Sequence, residues 1–597
     1  MFKILRRLWL KLSSRRRKQF ALLSLLMLAG GVAEVVSLGA VIPFLAALAA
    51  PEKVLSYPVV DSLISALCHI SSTFGLQFGA ITNHQPQIST THSQSLSSVF
   101  GPTALLPLLA TAFALAALTA GAIRLLLLWV STRLANSAGA DLSLEVYRRT
   151  LYQPYSVHVS RNSSTIISNI TSKVGMVILT LSSCLTFGIS SVIIISIVAA
   201  LFAINPTVAL ISALGLGFSY ALITKLFKKK MIQNSSRVSQ EQTQVVKALQ
   251  EGLGGIRDVL LDGTQPAYCH IYQLADSPLR EARASITFIG QSPRFVMESI
   301  GMVLFAVLAL GMTHGPQGTL AALPVLGALA LGAQRLLPAL QQGYAAWSGM
   351  LGAQASTKEV LELLDQPLPP EASQPLPAPL PFKKSIQFDS VKFRYTSETP
   401  WVLDKLSFNI TKGTRVGFVG KTGSGKSTCL DLLMGLLEPS AGRITVDGIV
   451  LDRRKLRSWQ RNIAHVPQVI YLADASLAEN IAFGVPPENI EMKRVKEAAR
   501  QAHIADFIES SPQGYQALVG ERGIRLSGGQ RQRIGIARAL YKQATVLVFD
   551  EATSALDHET EQAVMEAIEG LSADLTILII AHRLSTLKNC AHIIELG

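Results

Sequence analysis

The stretch Phe418–Thr428, "FVGKTGSGKST", decides the fold of the second half of this chain. From Gly420 to Ser427 it has the spacing of a phosphate-binding loop. An apolar run ending at Val419 precedes it, and the helical run "CLDLLMGLL" follows it. The loop therefore joins a strand to a helix, which is the setting that gives the motif its meaning. Gly420, Thr422, Gly423, Ser424, Gly425 and Thr428 form a cradle whose backbone N–H groups wrap phosphate at a helix N-terminus. Lys426 reaches the β- and γ-phosphates, and Ser427 is placed to ligate Mg²⁺.

A second element lies downstream, "VLVFDEATSALD" from Val546 to Asp557. Its four apolar residues read as a buried strand, with Asp550 at the end to hold Mg²⁺. Glu551 follows and is placed to polarise a water. The short β-branched runs "TRVGFVG", "ATVLVFD" and "LTILIIA" alternate with helical stretches, so this half is expected to be a sheet with helices packed on it.

The first half is different in kind. The whole chain has 597 residues, 49% of them hydrophobic and only 16% charged, against about 25% charged in an ordinary soluble chain. Six stretches are long and apolar enough to cross a bilayer, near 20–50, 104–131, 174–203, 206–224, 294–313 and 319–341. The first is too long for a signal h-region of about 7–15 residues and reads as a retained span.

Basic residues set the orientation. Eight lie in the first 18 residues, and more follow the fourth span in "KLFKKK". The loop from Pro51 to Thr103 has Lys53 alone. The positive-inside rule places the N-terminus and the segments 132–173 and 225–293 in the cytoplasm. The net charge of +14 is thus mostly topology, which argues against nucleic acid as a partner. It also makes the "NSS" at Asn162 and the "NIT" at Asn169 chance glycosylation patterns. Within the outer loop, Val60, Leu63, Ile64, Leu67 and Ile70 have helical spacing and predict a short amphipathic helix.

From Asp365 to Pro381 seven prolines mark a semi-rigid linker. Five scattered cysteines without CxxC spacing argue against a disulfide framework or a zinc site. The expected organisation is a basic segment over 1–18, a membrane domain over 19–364, the linker over 365–384 and a nucleotide-binding domain over 385–597.

"RLSGGQRQR" brings the family into view. Leu526–Gln530, with Ser527, Gly528 and Gly529 at its centre, resembles the signature of ATP-binding cassette (ABC) proteins. Other positions match the same pattern one by one. Tyr395 in "KFRY" stands where the family stacks an aromatic ring on adenine. Gln468 in "VPQ" matches the glutamine that touches Mg²⁺. "GERG" at Gly520–Gly523 resembles the exporter motif that contacts the coupling helices. Asp557 matches the loop at the dimer interface, and His582 in "IIAHR" matches the switch histidine of the γ-phosphate.

The resemblance implies ATP and Mg²⁺ as cofactors, and ATP held between two cassettes, the loop of one facing Ser527 and Gly529 of the other. One set of six spans and one cassette then imply a homodimer. Cassettes of the family continue for a further helix or two past the histidine, whereas this sequence stops at "IIELG"; the difference touches the C-terminal dimer contacts. The implied fold is an α-helical, six-span exporter domain followed by an α/β ATPase domain, in a bacterial inner membrane with the cassette in the cytoplasm. Candidate coupling helices are "YQPYSVHVSRNSS" and "GIRDVLLDGTQPAY".

Looser matches across the membrane half, among them "AEVVSLGAVIPF", "PRFVMESIG" and "QRLLPALQQ", resemble the PglK-like branch of lipid-linked oligosaccharide flippases and polysaccharide or glycolipid exporters. That branch implies a substrate with a lipid tail and a glycan head, turned from inner to outer leaflet. An exporter of peptides or drugs, or a non-transporting ABC channel or regulator, is the alternative.

Four charged residues within the spans are candidates for the substrate path: Glu34, Arg124, Glu298 and Arg335. An ionised acid near the centre of a span costs on the order of 2.5–3.5 kcal/mol, so Glu34 should not face lipid. Helical spacing puts Gly30, Glu34, Ser37 and Val41 on one small, partly polar face. Two roles stay open for Glu34, a tie between spans and a contact in the path. Ion pairing within the bundle is the plain alternative for the other three.

Overall fold

The computed structural model describes residues 1–40, 44, 102–204, 206–313, 318–550, 562, 574–580 and 590–596. The expected outer-loop helix lies outside them, as do Glu551, Asp557 and His582. The chain folds as two compact units, Met1–Tyr152 with Arg161–Pro367, and Gln153–Ser160 with Leu368–Gly597.

The first unit is helical. It contains α1 (Phe2–Lys11), α2 (Ser14–Gly39), α3 (Pro102–Leu151), α4 (Val174–Ile204), α5 (Pro206–Gly254), α6 (Gln265–Gln291), α7 (Pro293–Thr313), α8 (Gly318–Gly352) and α9 (Gln354–Leu364). Among the described residues four stretches meet the length and apolarity of a membrane span: Ser14–Ser37, Leu109–Leu151, Ser163–Ala203 and Ala209–Gly254. They overlap the first four expected spans, and α7 and α8 cover the stretches expected as the fifth and sixth.

The helices run far beyond the apolar stretches. α3 has 50 residues, about 75 Å at 1.5 Å per residue, against a hydrocarbon core of about 30 Å. Its polar end is carried by helical-register pairs such as Arg149–Glu145 at 2.6 Å.

Packing in this unit uses small residues where helices come close. A Cβ on Gly31 of α2 would lie 2.7 Å from both Val192 and Ser196 of α4, and one on Gly30 would meet Leu127 of α3 at 2.8 Å. The two glycines ahead of Glu34 thus let α2 approach two neighbours at once. Leu23, Leu127, Ala135, Ala138 and Val177 are among the buried residues that share this core.

The second unit holds two sheets. One is antiparallel, in the order β2–β1–β4–β5, from β1 (Ser385–Phe393), β2 (Leu403–Thr411), β4 (Ala441–Val446) and β5 (Ile449–Val450). The other, β6–β7–β8–β3–β9, is parallel, from β3 (Arg415–Val419), β6 (Ile463–Val466), β7 (Val546–Asp550), β8 (Thr576–Ile580) and β9 (His592–Glu595). Its central strands are continuous apolar runs because both faces are covered. α10 (Lys426–Leu433), α11 (Arg453–Gln460), α12 (Met492–Gln501) and α13 (Gly528–Tyr541) pack in this unit. The expected alternation of strands and helices is what forms here. Residues of the linker from Leu368 onward lie along α11, where Leu380 N donates to Ser458 O at 3.0 Å and Arg461 donates to Pro377 O at 2.9 Å.

Candidate functional site

The parallel sheet brings the phosphate-loop and acidic-strand motifs to one edge. Phe418 of β3 and Asp550 of β7 are both in register with Ile580 of the strand between them. Adjacent strands are about 4.8 Å apart, so the loop entry and the acid are about 10 Å apart across the sheet. Val466 of β6 is level with Phe549, which puts Gln468 just beyond the same edge. Ligands of open α/β sheets sit at this carboxyl edge.

The loop has the backbone that its glycines predict. Gly420, Gly423 and Gly425 have φ of 149°, 88° and 88°. A Cβ at Gly420 would stand 2.1 Å from the Leu596 carbonyl oxygen and 2.6 Å from Ser424 Oγ, so only glycine fits. Lys426 is buried, and its Nζ donates to Gly420 O at 2.9 Å and Lys421 O at 3.0 Å. The ammonium thus folds back over the loop. Ser424 Oγ is buried with no hydrogen-bond partner, and a buried hydroxyl left this way asks for a ligand oxygen or water. Tyr395 OH and Thr428 Oγ1 are 3.0 Å apart, which ties the expected base-stacking ring to the first turn of α10. The ring itself is exposed.

Ser527 and Gln530 form a capping box at the start of α13. Gln530 N donates to Ser527 Oγ at 3.2 Å, and Ser527 N donates to Gln530 Oε1 at 2.9 Å. This satisfies two of the four open N–H groups of the helix, with Gly528 and Gly529 in its first turn. Among the described residues no hydrogen bond joins Ser527–Gln530 to the Gly420–Thr428 loop. Both candidate coupling segments contain a short helix, Tyr155–Ser160 and Ile256–Leu261. The first belongs to the second unit.

Two features were missed from the sequence. Asp431, on α10, is pushed up to about 6 by burial, with Asp550 adding to the shift. A carboxyl five residues past Lys426 carries no motif that announces this. Trp401 is the other; Arg394, the sequence neighbour of Tyr395, lies 4.6 Å and Lys392 5.3 Å from its ring centroid, a cation–π stack.

In the membrane unit three of the four charged candidates meet. Arg335 donates from Nη1 to Glu34 Oε1 at 2.8 Å and from Nη2 to Ser37 Oγ at 3.2 Å. Arg124 Nη2 lies 2.9 Å from the other oxygen, Glu34 Oε2. Glu34 is 2% exposed and Ser37 is fully buried. One carboxylate therefore joins α2, α3 and α8. Glu298 stands apart, accepting from Arg294 at 2.9 Å and from Gln341 at 3.3 Å.

Comparison with known proteins bears on both halves. Residues 403–554 match the ABC transporter family, and residues 63–315 match the ABC transporter transmembrane region. The ATP-dependent lipid A-core flippase of Alkalilimnicola ehrlichii is 30% identical over 476 residues, 78% of each chain. That of Burkholderia pseudomallei is 31% identical over 480 residues, 79% of this chain and 78% of the relative. The flippase of Saccharophagus degradans is 45% identical over 236 residues, 39% of each chain. In fold, a bacterial Atm1-family ABC exporter with ATP bound aligns at a TM-score of 0.75, covering 97% of this chain and 93% of that one at 23% identity. The chain belongs to the ABC transporter family, as an exporter-type ATPase of the bacterial inner membrane with helical membrane region and cytoplasmic cassette in one polypeptide.

Proposed function

We propose that this protein is an ATP-driven flippase that turns an amphipathic glycolipid or lipid-linked saccharide from the inner to the outer leaflet, working as a homodimer. One observation carries the reading. The likeness to lipid A-core flippases extends over 476 residues, so it takes in membrane helices as well as the cassette. The working division is 19–364 for the membrane domain, 365–384 for the linker and 385–597 for the cassette.

In this reading Tyr395 stacks on the adenine, and the loop from Gly420 to Thr428 wraps the phosphates. Lys426 exchanges its two carbonyl acceptors for phosphate oxygens. Ser427, Gln468 and Asp550 are a hydroxyl, an amide and a carboxylate, the hard oxygen donors that suit Mg²⁺. When bound there, Mg²⁺ supplies charge neutralisation to the β- and γ-phosphates. Glu551 orients the attacking water, and His582 holds the γ-phosphate. The Ser527–Gln530 turn and Asp557 complete the site of the second copy. Closure of two cassettes on ATP turns the spans outward, and hydrolysis resets them.

The ion cluster supports a membrane role of its own. Two guanidinium groups face one carboxylate, which leaves one positive charge in excess. Arg124 is about half exposed, with 48% of its side chain accessible. We assign Glu34 to the tie between spans and Arg124 to contact with an anionic head group.

Reconstitution in liposomes tests the proposal. ATPase stimulation by glycolipids or lipid-linked glycans, without stimulation by peptides, is the expected result. Stimulation by peptides alone rejects it.

A further inference from the structure

We propose that the groove between α2 and α3, where their apolar stretches end on the cytoplasmic side, binds an anionic phospholipid of the inner leaflet. The proposal rests on the membrane assignment of these two helices and is independent of the transported substrate. The groove has a volume of about 840 Å³ and runs from a basic end to an apolar one.

The basic end holds Arg15, Arg16 and Arg133. Arg16 is already engaged, with Nε donating to Asp141 Oδ2 at 2.7 Å and Nη1 to Gln19 Oε1 at 3.1 Å. Arg15 acts on the same Asp141 only through space, and among the described residues neither it nor Arg133 makes an ion pair at contact distance. Arg133 instead stacks 5.4 Å from the ring centroid of Trp129, an arrangement that leaves the N–H edge of the guanidinium open to an anion. Three guanidinium groups against one carboxylate leave two positive charges in excess.

The position of these cations is itself informative. Arg15, Arg16 and Arg17 open α2, whose first turn contains no acid. Cations at a helix N-terminus oppose the macrodipole, so helix stability does not account for them. The cytoplasmic placement of the basic residues does, and on that side juxtamembrane arginines are drawn to acidic lipids.

The apolar end selects a lipid over free phosphate. Leu22 and Leu25 are largely exposed along the groove, which extends to Ala29. From Gln19 to Ala29 is about 15 Å of helix, the depth of one leaflet of a roughly 30 Å core. Trp129, 58% exposed, stands between the two ends, at the level where membrane aromatics gather. Head group, interface and acyl chain each meet a matching surface.

Native mass spectrometry of the full-length protein, titrated with phosphatidylglycerol, phosphatidylcholine and glycerol 1-phosphate, tests the site. Each arginine contact is worth about fivefold in affinity, so Arg15→Gln with Arg133→Gln should weaken phosphatidylglycerol about 25-fold. Phosphatidylcholine binding should change little. Arg133→Lys should restore much of the loss, which shows that a misfolded variant is not the cause. Arg17→Gln, outside the groove, should weaken binding less than Arg15→Gln or Arg133→Gln. An unchanged preference for phosphatidylglycerol in the double variant overturns the proposal. Glycerol 1-phosphate competing as well as the intact lipid also overturns it, since the site would then hold an anion alone.

Discussion

Glu34 of α2 and Arg335 of α8 are joined at 2.8 Å across 301 positions of sequence, inside a part of the chain that crosses the membrane. A second arginine, Arg124, takes the other carboxylate oxygen. The cost of an acid within a span is thus offset by two cations from two other helices. Breaking a buried pair by removing one partner costs about 3–5 kcal/mol. Arg124 is about half exposed, which lowers the expected loss for Glu34→Ala to about 2 kcal/mol. Thermal unfolding in detergent measures it. Glu34→Gln keeps an acceptor and should lose less. Transport that persists in Glu34→Gln supports the tie between spans, and transport lost with fold and basal ATPase intact assigns Glu34 to the path.

Gly420→Ala should disable the phosphate loop. Its Cβ would meet the Leu596 carbonyl, a backbone atom that cannot swing away. Overpacking of this kind costs about 1–3 kcal/mol. We expect loss of binding to a fluorescent ATP analogue and a lowered melting temperature. Tight binding in this variant would contradict the loop geometry.

Trp459 anchors the core beneath the linker. It is fully buried, its Nε1 donates to Leu433 O at 2.7 Å, and its ring meets Phe382 edge-on at 5.8 Å. Trp459→Ala should cost about 3–5 kcal/mol. Trp459→Phe, which removes chiefly the hydrogen bond, should cost about 1–2 kcal/mol. Equal losses from the two would show that packing around the ring contributes little.

Asp431 makes stability depend on pH. Burial and then Asp550 raise it to about 6, against about 4 for an ordinary aspartate. Between those values the folded chain holds a proton that the unfolded chain has released. Stability therefore falls as pH rises through this window, and the penalty is complete above it. Asp431→Asn should raise the melting temperature at pH about 7.5 and lose that advantage near pH 4. An equal gain at both values would remove the carboxyl as the cause.

What the sequence made legible follows the range of the forces involved. The phosphate loop and the buried strand ending at Asp550 are local patterns, and each forms where it was expected. The small face of Gly30, Glu34 and Ser37 was also visible, since it follows from helical spacing. The partners of Glu34 were not, because Arg124 and Arg335 come from other spans and only packing selects them. The same holds for Lys173, buried on the turn Asn169–Lys173, which pairs with Glu359 and donates to Thr243 at 3.0 Å. The full length of α3 and α5 was not legible either. Hydropathy marks the part in lipid, while the polar continuation is held by charge pairs and by contacts with other helices.

The central claim is that ATP hydrolysis at this cassette drives a glycolipid across the bilayer. The most direct measurement follows a head-group-labelled glycolipid in liposomes containing the purified protein, with wild type and Glu551→Gln compared in parallel. The account predicts ATP-dependent, multiple-turnover movement for wild type and none for Glu551→Gln, which should still close on ATP. Glycolipid movement at the same rate without ATP, or near-normal turnover in Glu551→Gln, would contradict it.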